Sequence, residues 1–305
     1  MSLLVTEVCA GAVAGGTCIL YAAVGESFSE SAGVVNLGVE GSMLVGALAG
    51  YAVTAEAGNP WAGVVGAAVC GAVLAAVHAW FVLARRSNQL ATGLVVMFLG
   101  LGLTSLFGAA YVARTVDSFS AWDVPGLSSI PFIGPVLFEH DPLTYLSYAL
   151  VPGSWWVLYR SRWGLLIRGA GERRHVLETY GHPAAAVQYG AVILGGALAG
   201  IGGAQLSVAY ANAWFENMTQ GRGFIGAAVV IFAARQPFKV AAGAYLFGAA
   251  LALSPALQAR NVNLPILENQ FALASIPYVA ILVVLVVLGR KRAAEAPEGL
   301  KAVFG

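Results

Sequence analysis

Apolar residues in this chain run in blocks long enough to cross a bilayer, and polar residues collect between them. Stretches free of charge extend from Val8 to Gly25, Ala57 to Leu83, Ser87 to Ala113 and Pro142 to Tyr159. Others extend from Pro183 to Phe215, Val240 to Ala259 and Asn269 to Gly289. A helix needs about 20 apolar residues to cross about 30 Å of hydrocarbon, and these blocks meet that length. Ser31 to Ala55 reads as one more span, interrupted by a lone Glu40. Gly223 to Ala234 is too short to cross by itself. The pattern predicts an all-α, polytopic membrane protein of about nine or ten transmembrane helices, forming one domain over residues 1–305.

Composition strengthens this reading. Only 10% of the residues are charged and 59% are hydrophobic, whereas a soluble domain carries about 25% charged residues to face water. The 38 glycines suit helices whose backbones approach closely. No Lys or Arg occurs before Arg85, so the first apolar run lacks the basic flank of a signal peptide and reads as a retained helix. A formal net charge of +1 gives no reason to expect nucleic acid as a partner. Cys9, Cys18 and Cys70 lie in apolar runs without metal-ligand spacing. His78 stands alone in an apolar block and reads as a hydrogen-bonded helix residue. With no HExxH, G-x-S-x-G or P-loop sequence, the chain is expected to have no catalytic residues, no metal site and no nucleotide site of its own.

Basic residues set the expected orientation, since Lys and Arg gather in cytoplasmic loops. They cluster at Arg85–Arg86, between Arg160 and Arg174, and from Arg290 to Lys301, which places the C-terminus in the cytoplasm. Trp155, Trp156, Tyr159 and Trp163 read as an interfacial belt at the end of one helix. The loop from 160 to 183 holds five arginines and is far longer than the usual two to eight residues of a helix connection, by about threefold. Within it, Ala170–Thr179 is expected to form a short amphipathic helix, ended by Gly181 and Pro183. The loop is open to two readings, a plain positive-inside connection or a docking helix for a cytoplasmic partner.

Polar residues at membrane depth are the candidate functional groups. A buried carboxylate costs a few kcal/mol and normally faces a bundle interior or a wet cavity. Asn36 and Glu40 are four apart, so on one helix they would share a face. A second polar segment, Met218 to Phe224, offers Thr219, Gln220, Arg222 and Phe224, and Arg222 is placed to neutralise a carboxylate. Two readings stay open for Glu40: it lines a substrate pathway, or it pins two helices together. Asn59-Pro60 and Gln236-Pro237 each precede a helix with glycines at the same offsets, Gly66 and Gly71 against Gly243 and Gly248. That spacing suggests an internal repeat, inverted by the charge argument, as in alternating-access transporters.

Five ordered segments carry a resemblance that covers nearly the whole chain. They run from Ser31 to Ser42 (with the sequence NLGVEG inside), Asn88 to Val95, Gly164 to Arg173, Thr219 to Ala233 and Ile276 to Val286. In these the chain resembles the permease subunits of bacterial ABC importers for nucleosides and simple sugars, and NLGVEG is similar to the nucleoside branch. The resemblance implies an alternating-access pathway in a bacterial plasma membrane. It also implies a second related permease, most often a different chain, and an extracytoplasmic binding protein or lipoprotein. ATP and magnesium would be held by a separate cytoplasmic ATPase, with no cofactor on this chain. The ATPase would grip the loop around Arg168, Gly171, Glu172, Arg173, Arg174, Glu178 and Gly181. The chain departs from the family pattern at Arg173-Arg174-His175, where relatives carry Asn-Pro, and at Ala233, where they tend to carry glycine. A proton- or sodium-coupled secondary transporter that uses Glu40 as its carrier is the alternative.

Overall fold

A computed structural model describes residues 2–259 together with 275 and 279. The expected span from Asn269 to Gly289, the segment from Ile276 to Val286 and the basic C-terminal cluster lie outside the described residues. Helix α1 (Ser2–Ser31) is followed by α2 (Val39–Ala57), α3 (Pro60–Ala79) and α4 (Gln89–Gly108). A short excursion holds the two-residue strands β1 (Trp122–Asp123) and β2 (Glu139–His140), paired antiparallel, with α5 (Ile133–Leu137) between them. Then come α6 (Pro142–Arg160), α7 (Arg162–Glu172), α8 (Arg174–Thr179), α9 (Ala184–Ala204), α10 (Arg222–Phe232) and α11 (Pro237–Ala259). A π-helical turn extends α3 over Trp80–Ala84 and another extends α9 over Gln205–Tyr210.

Five of these helices, α1, α3, α4, α9 and α11, are long and apolar enough to cross a membrane. The side chains that begin the helices are legible in the sequence. Asn59 Oδ1 accepts from the Trp61 N–H at 2.9 Å, and Asn88 Oδ1 accepts from Ala91 at 3.0 Å. Asp141 Oδ1 accepts from Thr144 at 3.0 Å. Each cap satisfies an amide that has no partner inside its helix, and proline at the first helical position adds a fixed φ at no hydrogen-bond cost after Asn59 and Asp141.

The expected single span from Ser31 to Ala55 is not one helix. The chain leaves α1 after Ser31, runs non-helically through residues 32–38 and starts α2 at Val39. Glu40 therefore lies in the first turn of α2, and Asn36 lies in the break. The two do not share a helix face. The Ala170–Thr179 helix is likewise split: Arg173, at φ −145°, separates α7 from α8. The stop after α8 follows the sequence, with Gly181 at φ +79°. At the end of α10 the left-handed residues are Ala234 and Arg235, while Ala233 itself is right-handed at φ −77°.

Lipid offers helices no hydrophobic reason to associate, so they pack through small residues. Glycines make the contacts here. A Cβ on Gly25 would lie 2.4 Å from the Gly195 carbonyl oxygen, and one on Gly202 would lie 2.7 Å from that of Cys18. Rising numbers on α1 thus meet falling numbers on α9, and the two central helices are antiparallel. The same helices anchor two matched units. Gly71 of α3 sits on Gly196 and Gly200 of α9, while Gly248 of α11 sits on Ala12 and Gly16 of α1. Gly66 of α3 faces Val53 of α2, and Gly243 of α11 faces Val229 of α10. The glycines at equal offsets from Pro60 and Pro237 therefore do equal jobs. Units α1–α2–α3 and α9–α10–α11 form an inverted repeat, because their first helices are antiparallel.

Gly200 tests this packing, since a Cβ there would lie 2.2 Å from the Ala67 carbonyl oxygen. Gly200→Val is expected to cost about 1–3 kcal/mol or more by overpacking. It should lower the melting temperature in detergent by several degrees. Gly190→Ala, where nothing lies within 4 Å, should leave it unchanged or slightly raised.

Candidate functional site

A break in a helix exposes backbone groups that water cannot satisfy inside a membrane. Residues 32–38 are buried apart from half-buried Leu37, and side chains from four different helices satisfy their backbone. Gln188 Nε2 of α9 donates to the Ala32 carbonyl at 2.9 Å. Gln89 of α4 accepts from the Val35 N–H at 2.8 Å and donates to the Gly33 carbonyl at 3.5 Å. His78 Nε2 of α3 lies 3.2 Å from the Val35 carbonyl oxygen. Glu26 Oε1 of α1 accepts from the Asn36 N–H at 2.7 Å. His78 is thus the structural helix histidine the sequence suggested. Gln89 has no distinguishing mark in the hydrophobic pattern. The signal for Glu26 was a glutamate at the edge of an apolar block.

Just past the break, Glu40 joins α2 to the second interrupted segment. Its carboxylate accepts from Thr219 Oγ1 at 2.6 Å, the Gly221 N–H at 2.8 Å and the Gly223 N–H at 2.6 Å. These groups sit at the N-terminus of α10, where unpaired amides and the helix dipole favour a negative charge. Charge-assisted bonds of this kind are about twice as strong as neutral ones, which is how a carboxylate only 5% exposed is held here. A Cβ on Gly223 would stand 2.6 Å from both Glu40 Cα and its Oε2, so glycine is needed for the approach. Arg222 does not pair with Glu40 as expected. Its guanidinium turns back to donate to the Met218 carbonyl at 2.9 Å.

Beside this junction lies a cavity of about 460 Å³. Glu40, Gly41 and Leu44 of α2, Met97 and Leu101 of α4, and Asn217, Gln220, Gly221 and Phe224 line it. Of the six residues proposed from sequence, Glu40, Gln220 and Phe224 reach the cavity wall. Thr219 is buried behind it as a donor to Glu40, Arg222 is engaged by its own loop, and Asn36 is buried in the break. Asn217 was missed, although it sits one residue before the segment singled out. Asn217 and Gln220 adopt φ of 55° and 47°, a conformation with a cost for side-chain-bearing residues that clusters at functional sites.

The long basic loop has a defined shape. Gly171 packs on the break between α1 and α2: a Cβ there would lie 2.4 Å from the Ser31 carbonyl oxygen and 2.8 Å from the Gly33 nitrogen. Gly33, at φ +82°, occupies the backbone region that glycine tolerates best. Arg168 is half-buried, with its guanidinium carbon 5.3 Å from the Tyr159 ring centre. Glu172, Arg173, Arg174, Glu178 and Gly181 are exposed, and Arg174 pairs with Glu178 at 2.9 Å one turn along α8.

Glu40→Gln puts an amide nitrogen opposite one set of backbone or hydroxyl donors. A buried donor left without an acceptor costs about 1–3 kcal/mol. The variant should melt several degrees below the wild type in detergent, and Thr219→Ala, which removes one donor and keeps the charge, should lose less. Equal melting temperatures for all three proteins would show that this junction carries no stability.

Residues 10–288 match the family model described as the branched-chain amino acid transport system / permease component. A Haloferax volcanii protein described as a glucose ABC transporter permease is 40% identical over 252 residues, 81% of this chain and 75% of the relative. The guanosine ABC transporter permease of Bacillus subtilis is 30% identical, over 77% of this chain and 78% of its own. The nucleoside ABC transporter permease of Lactococcus lactis subsp. cremoris is 27% identical, over 94% and 93%. Members of this family are not enzymes themselves: a separate ATPase subunit and a substrate-binding protein work with them. A polytopic helical chain with two gripped breaks, matched over nearly its whole length, belongs to the branched-chain amino acid transport system permease family and is the membrane-spanning permease subunit of an ABC importer.

Proposed function

We propose that this chain forms part of the translocation path for nucleosides, opening and closing by alternating access under the drive of its ATPase. The observation that carries the reading is the cavity beside the Glu40–α10 junction. It combines apolar walls from Leu44, Met97, Leu101 and Phe224 with polar groups from Asn217 and Gln220. A few placed polar groups in an apolar cleft suit a neutral solute with a flat base and several hydroxyls. Two relatives named for guanosine or nucleosides favour the same class. The relative described as a glucose permease favours a simple sugar as a second reading, with hydroxyls as the shared chemistry.

In this scheme Glu40 holds the wall of the path through α10, and Asn217, Gln220 and Phe224 face the solute. Asn36, Thr219 and Arg222 support that wall from behind. The ATPase docks on α7 and α8, meeting Glu172, Arg173, Arg174, Glu178 and Gly181, while Arg168 and Gly171 seat these helices on the membrane domain. The C-terminus lies on the ATPase side, in the cytoplasm. A second, related permease completes the path.

Reconstitution tests this. Proteoliposomes holding this chain with its partner permease, ATPase and binding protein should accumulate labelled guanosine or adenosine when ATP is supplied on the ATPase side. Omitting the ATPase should abolish uptake. Unlabelled glucose in excess should not compete; competition by glucose alone would favour the sugar reading. Uptake driven by an imposed proton gradient and indifferent to ATP would overturn the importer mechanism for this chain. Gln220→Ala should raise the half-saturating solute concentration severalfold with little change in ATP hydrolysis.

A further inference from the structure

The docking helices and the cavity are joined by a short series of contacts through the α1–α2 break. On the loop side, Arg174 Nη1 of α8 reaches Gln188 Oε1 of α9 at 3.5 Å. The other end of the same amide, Gln188 Nε2, donates to the Ala32 carbonyl at 2.9 Å. Gln188 is buried, only 6% exposed, and lies one turn inside α9. Beside it Gly171 of α7 rests directly on the Gly33 backbone. Residues 32–38 then lead into α2, whose second residue, Glu40, holds the N-terminus of α10 and lines the cavity.

We infer that Gln188 is a positioning residue that transmits the ATPase stroke, joining the α8 docking helix to the α1–α2 break. The inference rests on the docking of the ATPase at α7 and α8 proposed above. One amide group bonds both the moving surface and the break, so displacement of α8 pulls or releases the Ala32 carbonyl. Gln89 and His78 hold the far side of the break from α4 and α3. A pull at Ala32 therefore turns the segment about a fixed edge, and the turn is delivered to the start of α2. The half-helix α10 is only 11 residues long, so its end follows Glu40.

The test is the ratio of solute taken up to ATP hydrolysed in the reconstituted complex. Gln188→Met keeps the side-chain length and fills the same space while removing both bonds. It should assemble and hydrolyse ATP at or above the wild-type rate, with uptake per ATP reduced at least about tenfold. Gln188→Glu keeps an acceptor toward Arg174 but cannot donate to the Ala32 carbonyl, and should be uncoupled in the same way. A parallel fall in uptake and hydrolysis, with their ratio unchanged, is what a merely structural residue gives and would overturn the inference. Hydrogen exchange on the wild-type complex is independent of any variant: amides of residues 32–38 should exchange faster or slower in the vanadate-trapped state than without nucleotide. An unchanged pattern there also overturns it. A wild-type complex that shows neither ATP-driven uptake nor ATPase assembly on this chain would overturn the docking reading and the inference with it, whereas an unchanged ratio or exchange pattern in an assembled, ATP-driven complex overturns the role of Gln188 alone.

Discussion

Backbone amides and carbonyls cannot be left unpaired where water is excluded, and this constraint organises the rest of the molecule. Among the described residues, one buried break in helix falls at residues 32–38, and a second, partly exposed one lies between the π-helical turn of α9 and the start of α10. Each interruption is held by side chains brought from elsewhere. The first takes Glu26, His78, Gln89 and Gln188 from four helices. The second takes Glu40 across its helix end, through three hydrogen bonds. A carboxylate at this depth is expensive by itself, but the amides of α10 need an acceptor as much as Glu40 needs donors. The two breaks thus hold each other, since Glu40 belongs to the helix that begins where the first one ends.

The inverted repeat explains why such a pair of breaks arises. Units α1–α2–α3 and α9–α10–α11 are related by the matching contacts of Gly71 with α9 and Gly248 with α1. In each unit a long helix is followed by a non-helical stretch and a second helix that packs on the opposite unit's long helix: Gly46 of α2 meets Gly200, and Gly226 of α10 meets Ala22 and Ile19. The arrangement gives a rigid centre, where glycine backbones touch and little can slide.

Much of this was legible in the sequence, and the limits have physical causes. Span lengths, the Asn and Asp caps and the equal glycine offsets are local properties, and they led directly to helices and to the repeat. The break at residues 32–38 was hidden because Val34, Val35 and Leu37 are apolar, so the hydrophobic pattern runs through it without a seam. The interruption is made by tertiary hydrogen bonds, which no periodicity records. The same is true of Arg222: a cation four residues from nothing acidic looked like a counter-ion for Glu40, yet its own Met218 carbonyl is closer. The segments around Gln89, Gly171 and Thr219 all converge on the stretch from Ser31 to Ser42, by hydrogen bond or by backbone contact.

The geometry of Glu40 also bears on how transport is driven. A proton carrier must be stable in both protonation states and exchange between them in each cycle. Glu40 uses both carboxylate oxygens as acceptors, one facing Thr219 and Gly221 and the other facing Gly223. Both oxygens are thereby committed to the junction between α2 and α10. The drive accordingly comes from the separate ATPase subunit that works with permeases of this family.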